Sequence, residues 1–179
     1  MKGCDFMLSE DIINELKGFQ KQLTSDKNKG IYWTYQHKGY EKYFERAVST
    51  GNRTLNCVIL VNWALRSLGI IDTGLLNHKN GKPVFGSKET KAAIKKNFDI
   101  IKMGDTQINL AKSGKLQRGD ILIHNGHMSV FLKFKNGNVY CYDAGRGNCD
   151  SCAVGAKFNR FFGVSPYTNM IVNYVVRAK

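Results

Sequence analysis

Long apolar runs are missing from this chain. None approaches the roughly 20 residues that a membrane-crossing helix requires, which excludes a helical span. The opening stretch MKGCDFMLSEDI has no apolar segment of the signal-peptide kind. Synthesis in the cytoplasm is therefore the expectation, and Cys4 does not read as a lipid acceptor. Proline is scarce, at Pro83 and Pro166 only, and there is no low-complexity tract. No repeat recurs at solenoid periods. One domain over residues 1–179 is expected, with 1–50 as an N-terminal extension or groove-forming segment. Acidic residues are short as well: 14 Asp and Glu face 27 Lys and Arg, a net charge of +13. Such a balance attracts polyanions, whether nucleic acid, anionic lipid or an anionic cell-wall polymer, or simply solvates the surface.

Five cysteines without a signal peptide argue against a disulfide framework. The periodicity divides the chain in two. Ser9 to about Leu23 reads as an amphipathic helix, with Ser9 as cap and Leu8 stapled on Ile13. A short helix is expected over Tyr40 to Val48. A buried helix should run from Asn56 to Leu68 and stop at Gly69. NHKNGKP reads as a surface turn, and Ser87 caps a helix from Lys88 to about Phe98. After Gly119 the period becomes two, with strands at Ile121–His124, Met128–Phe134, Asn138–Asp143 and Met170–Arg177. Helices followed by an antiparallel sheet give an α+β class.

The stretch TLNCVILVNWAL places Cys57 at the first turn of the buried helix, after the capping residue Asn56. Unpaired N–H groups and aligned peptide dipoles there favour a thiolate and can hold an oxyanion. A cysteine in an apolar helix is also an ordinary core residue, so a base must accompany it. His127 supplies one candidate, at a strand mouth after the turn HNGH. His37 and His78 read as surface residues. Asp143 ends the next strand. If Lys135 to Gly137 form a three-residue loop, it lies opposite Ser129, on the face of His127; one residue more or less reverses that face.

LNCVILVNWALRSLGI and LQRGDILIHNGHMSVFLK resemble the nucleophile helix and the histidine strand of the NlpC-type cell-wall cysteine peptidases, and more distantly the CHAP amidases. The resemblance covers roughly Asn56 to Gly145. It implies a papain-like fold, with the nucleophile helix packed on a small antiparallel sheet. It implies Cys57 as nucleophile, His127 as base and Asp143 as the third member. It also implies an upstream tyrosine at the oxyanion, Tyr35 or Tyr32, with Trp33 beside them in a groove. The activity implied is hydrolysis of an amide in bacterial peptidoglycan, first in the stem peptide, without cofactor or metal. A phage-type lysin or a released enzyme fits that activity. The family's Asp-Cys-Ser-Gly is here Asn56-Cys57-Val58-Ile59, and Arg118 replaces a usual proline.

Two rivals stand beside it. His124 and His127 with Cys149 and Cys152 have the donors of a zinc site. The charge, with Tyr32, Trp33, Tyr35 and Tyr40, has the ingredients of a nucleic-acid-binding module, although no recognition motif accompanies them. Within the peptidase reading, the same scaffold can also pass an acyl group to an acceptor other than water.

Overall fold

The computed structural model describes residues 5–36, 38–145 and 160–179. Its elements are α1 (Asp5–Asn28), β1 (Thr34–Tyr35), α2 (Phe44–Thr50), β2 (Thr54–Leu55), α3 (Cys57–Ser67), β3 (Leu76–Lys79), β4 (Lys82–Phe85) and α4 (Lys88–Asn97). There follow β5 (Phe98–Thr106), α5 (Gln107–Lys112), β6 (Ile121–His124), β7 (His127–Lys135), β8 (Asn138–Gly145), β9 (Arg160–Val164) and β10 (Ile171–Ala178). The described residues thus form a mixed α/β structure with five helices. None of those helices is long and apolar enough to cross a membrane.

The main sheet has six antiparallel strands in the order β5-β10-β6-β7-β8-β9. Both of its faces are covered, which explains why β6 is buried at every residue. On one face Ile121, Ile123, Met128, Val130 and Tyr142 pack into a core with α1 and α3. On the other, Leu122, Phe131, Val139 and Val175 pack with Leu110 of α5.

The helix α3 is apolar nearly all round because it is enclosed between α1 and the sheet. Its one buried polar side chain after the cap, Asn62, imitates a neighbouring strand. Asn62 Oδ1 accepts from the Leu76 N–H at 2.8 Å, and Nδ2 donates to the Leu76 carbonyl at 2.8 Å. This double bond fixes the β3–β4 hairpin against α3.

At the end of α1, the buried Asp26 carboxylate accepts from Trp33 Nε1 at 2.9 Å, Arg53 Nε at 2.8 Å and Gln22 Nε2 at 2.8 Å. Burial works to raise its pKa, but these donors hold it below the ordinary carboxylate value. The cluster ties the β1–β2 ladder to α1.

The first helix begins at Asp5, so Ser9 lies inside it and not at its cap. A physical reason for a small residue there is the close approach of Gly119, whose added Cβ would sit 2.9 Å from the Ser9 carbonyl oxygen. Gly119 also has φ of 89°. Gly119→Ala combines that clash with a left-handed backbone cost. We expect it to destabilise the protein by about 2 kcal/mol, read as a lowered midpoint in urea unfolding.

Elsewhere NHKNGKP is not a simple surface turn: it forms most of the β3–β4 hairpin, with Asn80–Gly81 as its tip. Strands β2, β3, β4, β5 and β9 and helix α5 are additions to the expected elements. The second helix starts at Phe44, not Tyr40.

Candidate active site

Asn56 has extended backbone angles and its Oδ1 accepts from the Ile59 N–H at 3.0 Å, which caps α3 and makes Cys57 its first residue. Its Nδ2 donates to the Gln36 carbonyl at 2.8 Å. The parallel pairing Tyr35↔Leu55 brings the segment carrying Tyr35 alongside. The Tyr35 hydroxyl comes to rest 4.0 Å from Cys57 Sγ.

On the sheet, the two-residue turn Asn125–Gly126 pairs His124 with His127, with φ of 87° at Gly126. His127 therefore opens β7 on the face of Ser129 and Phe131, one residue before Met128, whose N–H helps hold the Cys57 thiol low. Asp143 pairs with Ser129, as a three-residue loop would have placed it, but the route differs. The loop is two residues, Asn136 and Gly137, both left-handed. A bulge between Phe131 and Lys133 then shifts the register by one and restores the pairing. The carboxylate thus returns to the face of His127.

His127 Nε2 lies 2.7 Å from Asp143 Oδ1, both side chains being buried. The oxygen lies off the ring N–H axis, so the contact is an ion pair more than an aligned hydrogen bond. This leaves Nδ1 as the nitrogen available to the sulfur. The Tyr167 ring covers the imidazole, centroid to centroid 4.0 Å, tilted by 36°.

The electrostatics follow from these contacts. Burial alone pushes the Cys57 thiol up. Hydrogen bonding from His127 and then His78, the positive charge of His127, and the Met128 N–H carry it down to about 6. Burial alone pulls His127 down, yet its contacts with Asp143 and Cys57 raise it to about 9. Between these values the pair is a thiolate beside an imidazolium. Burial and the neighbouring thiolate push the Tyr35 hydroxyl upward, so it stays a donor. His124 moves the other way, to about 4, through burial and the charge on His127. It is neutral, with Nδ1 3.1 Å from the Ile171 carbonyl.

The thiolate window sets an expected pH profile. Alkylation of Cys57 by iodoacetamide, followed on its own peptide by mass spectrometry, should rise through a midpoint near pH 6. An unassisted thiol rises near 8.5. A midpoint above pH 8 contradicts the ion pair.

A cavity of 190 Å³ opens on Cys57, lined also by Tyr35, Tyr40, Asn77, His78 and Gly126. The structure thus brings together Cys57, His127, Asp143 and Tyr35. It does not bring Trp33 to them. That ring is 4% exposed, stacks on Phe44 at 5.5 Å and donates to Asp26, so it is a core residue and not a groove residue. Tyr32 is 42% exposed and does not line the cavity.

Sequence alone did not point to Tyr167 or to the place of Tyr40, and it put His78 among surface residues, whereas His78 is half-buried and lines the cavity. For His78 a signal was present: Asn80-Gly81 between two short runs marks a tight hairpin, with φ of 51° and 71°.

Cys149 and Cys152, and also Cys4 and His37, lie outside the described residues. Among the described residues no group of three or more His, Cys, Asp or Glu side chains is arranged to hold a metal ion. Among the described residues, Cys57 and Cys141 form no disulfide. The chain matches no protein-family model, no curated protein and no solved structure.

Proposed function

We propose that the protein is a cysteine hydrolase of papain-like design that cleaves amide bonds in bacterial peptidoglycan, the stem-peptide bonds first. The observation that carries the chemistry is the placement of His127 between the Cys57 sulfur and the Asp143 carboxylate. The resemblance of the cysteine helix and the histidine strand to NlpC-type peptidases supplies the substrate class. A net charge of +13 suits an anionic wall. The aromatic platform of the nucleic-acid reading loses support, because Trp33 is core and Tyr35 and Tyr40 face the cavity.

In the proposed reaction the thiolate of Cys57 attacks the amide carbonyl carbon. The sulfur–carbon bond forms as the carbonyl π pair moves to oxygen. The oxyanion is held by the Cys57 N–H at the helix start and by the Tyr35 hydroxyl. Collapse breaks the carbon–nitrogen bond, and the His127 imidazolium gives its proton to the departing amine. His127, now neutral, takes a proton from water, which attacks the thioester. The carbon–sulfur bond breaks and the thiolate and imidazolium return. Asp143 orients the ring and favours its charged form, and Tyr167 packs on its flat side.

Digestion of purified cell walls tests the proposal. The expected result is loss of turbidity with new free amino groups and no new reducing sugar ends. No amine release between pH 6 and 9 argues against it, since that range spans the ion pair.

A further inference from the structure

A second imidazole stands at the nucleophile. His78 is half-buried on β3 and lines the same cavity as Cys57. No step of the reaction proposed above uses it. Its position is built from both ends of the hairpin. Leu76, two residues earlier on the same strand face, is fully buried and doubly hydrogen-bonded to Asn62, five residues beyond Cys57 on α3. At the other end the turn glycine Gly81 lies against the Asn173 side chain of β10, so closely that an added Cβ would meet it at 2.7 Å. The strand cannot swing away without breaking one of these. His127 reaches the sulfur from the sheet, beside the preceding Gly126, which lines the cavity wall. His78 borders the same cavity from the hairpin.

We propose that His78 is a catalytic residue: its imidazole N–H donates to the Cys57 sulfur in the resting enzyme and to the carbonyl oxygen as the sulfur–carbon bond forms. The donated hydrogen stays on nitrogen throughout, so no proton is consumed. Only the electron pair it stabilises moves, from sulfur to the oxygen of the tetrahedral intermediate. The contact with sulfur rests on the cavity that His78 and Cys57 share and on the hydrogen bonding from His78 that helps hold the thiol low. The contact with oxygen rests on the hydrolase reading above.

Cys57 alkylation, read at its own peptide across pH 4–10, tests the first contact without any substrate. The groups facing this sulfur are His127 of β7, His78 of β3 and Tyr35 of β1, with Asp143 and Tyr167 acting through the ring and the hydroxyl. With the others unchanged, His78→Ala should move the midpoint upward by about one pH unit. His78→Gln, which keeps an N–H donor, should recover most of that shift. Wall digestion should fall at least about tenfold in His78→Ala and less in His78→Gln.

An Ala variant with the parent's midpoint and a normal melting curve overturns the proposal. If the Ala variant does not fold, the parent decides. Its His78 ring resonances should shift when Cys57 is alkylated, and unchanged resonances overturn the proposal. A midpoint that moves in a protein unable to digest walls removes the hydrolase reading and leaves the His78–sulfur contact in place.

Discussion

Cys57→Ala should digest purified cell walls at least about a thousandfold more slowly than the parent, with the fold retained. The reasoning has two parts. Every bond-making step in the proposed reaction passes through the sulfur, so no other group can substitute for it. The substitution itself is mild, because Cys57 is 4% exposed at the head of a helix and alanine suits a first turn. It also removes a thiolate that burial disfavours, so the melting temperature should change by only a few degrees. Cys57→Ser should be nearly as inactive, because a hydroxyl in the same place does not ionise near pH 7. The measurement is the rate of amino-group release at pH 7, beside thermal melting of each variant. Parental rates in Cys57→Ala would place the chemistry elsewhere.

Asp120→Ala should produce the largest loss of stability, about 3 kcal/mol, or roughly 10 °C in Tm. Asp120 is 1% exposed and its carboxylate collects three donors. Arg177 Nε reaches Oδ1 at 2.8 Å, Arg177 Nη2 reaches Oδ2 at 2.7 Å, and the Gln117 N–H reaches Oδ2 at 2.7 Å. Truncation leaves a largely covered guanidinium beside an empty space, which costs more than the pair contributed. Asp120→Asn should lose less, since one oxygen still accepts. The site residues are untouched, so activity at 20 °C should persist in the folded fraction. Urea unfolding of the three proteins checks the order. Equal midpoints would mean that the Arg177 clasp adds nothing.

The Gly119-Asp120 segment shows how far a motif can be read from sequence. The pair was legible as part of a resemblance to a peptidase segment, yet what it does here is structural. Gly119 admits α1 at Ser9, and Asp120 clasps β10 to the start of β6. The neighbouring Arg118, where proline is usual, pairs with Glu10 of α1. So the departure from the family pattern has a partner of its own.

What was legible elsewhere was local. The Asn56 cap, the apolar helix after it and the turn at Gly69 follow from side-chain chemistry within a few residues. Strands β6 to β8 follow from period two and from Asn-Gly turns. What was not legible depended on partners distant in sequence. Strand β5 lies at a sheet edge and most of its residues are partly exposed, so its apolar signal is weak. The β3–β4 hairpin is polar at its tip, and its anchor is the buried Asn62, which no periodicity singles out. His78 reads as a surface residue for the same reason. Trp33 was misplaced because an aromatic in a loop carries no sign of whether Asp26 will come to meet its ring nitrogen. Asp143 was placed opposite Ser129 through the wrong loop, since a bulge leaves no mark in composition.

That bulge also sets where the hairpin tolerates a change of length. Asp143 shares the ring's side of the sheet because it lies opposite Ser129, two residues along β7 from His127. A residue gained or lost at the Asn136–Gly137 tip, or at the bulge residue Leu132, can be absorbed there while that far pairing is kept. A residue gained or lost between His127 and Phe131, or between Cys141 and Asp143, has no such outlet and turns one of the two side chains to the opposite face.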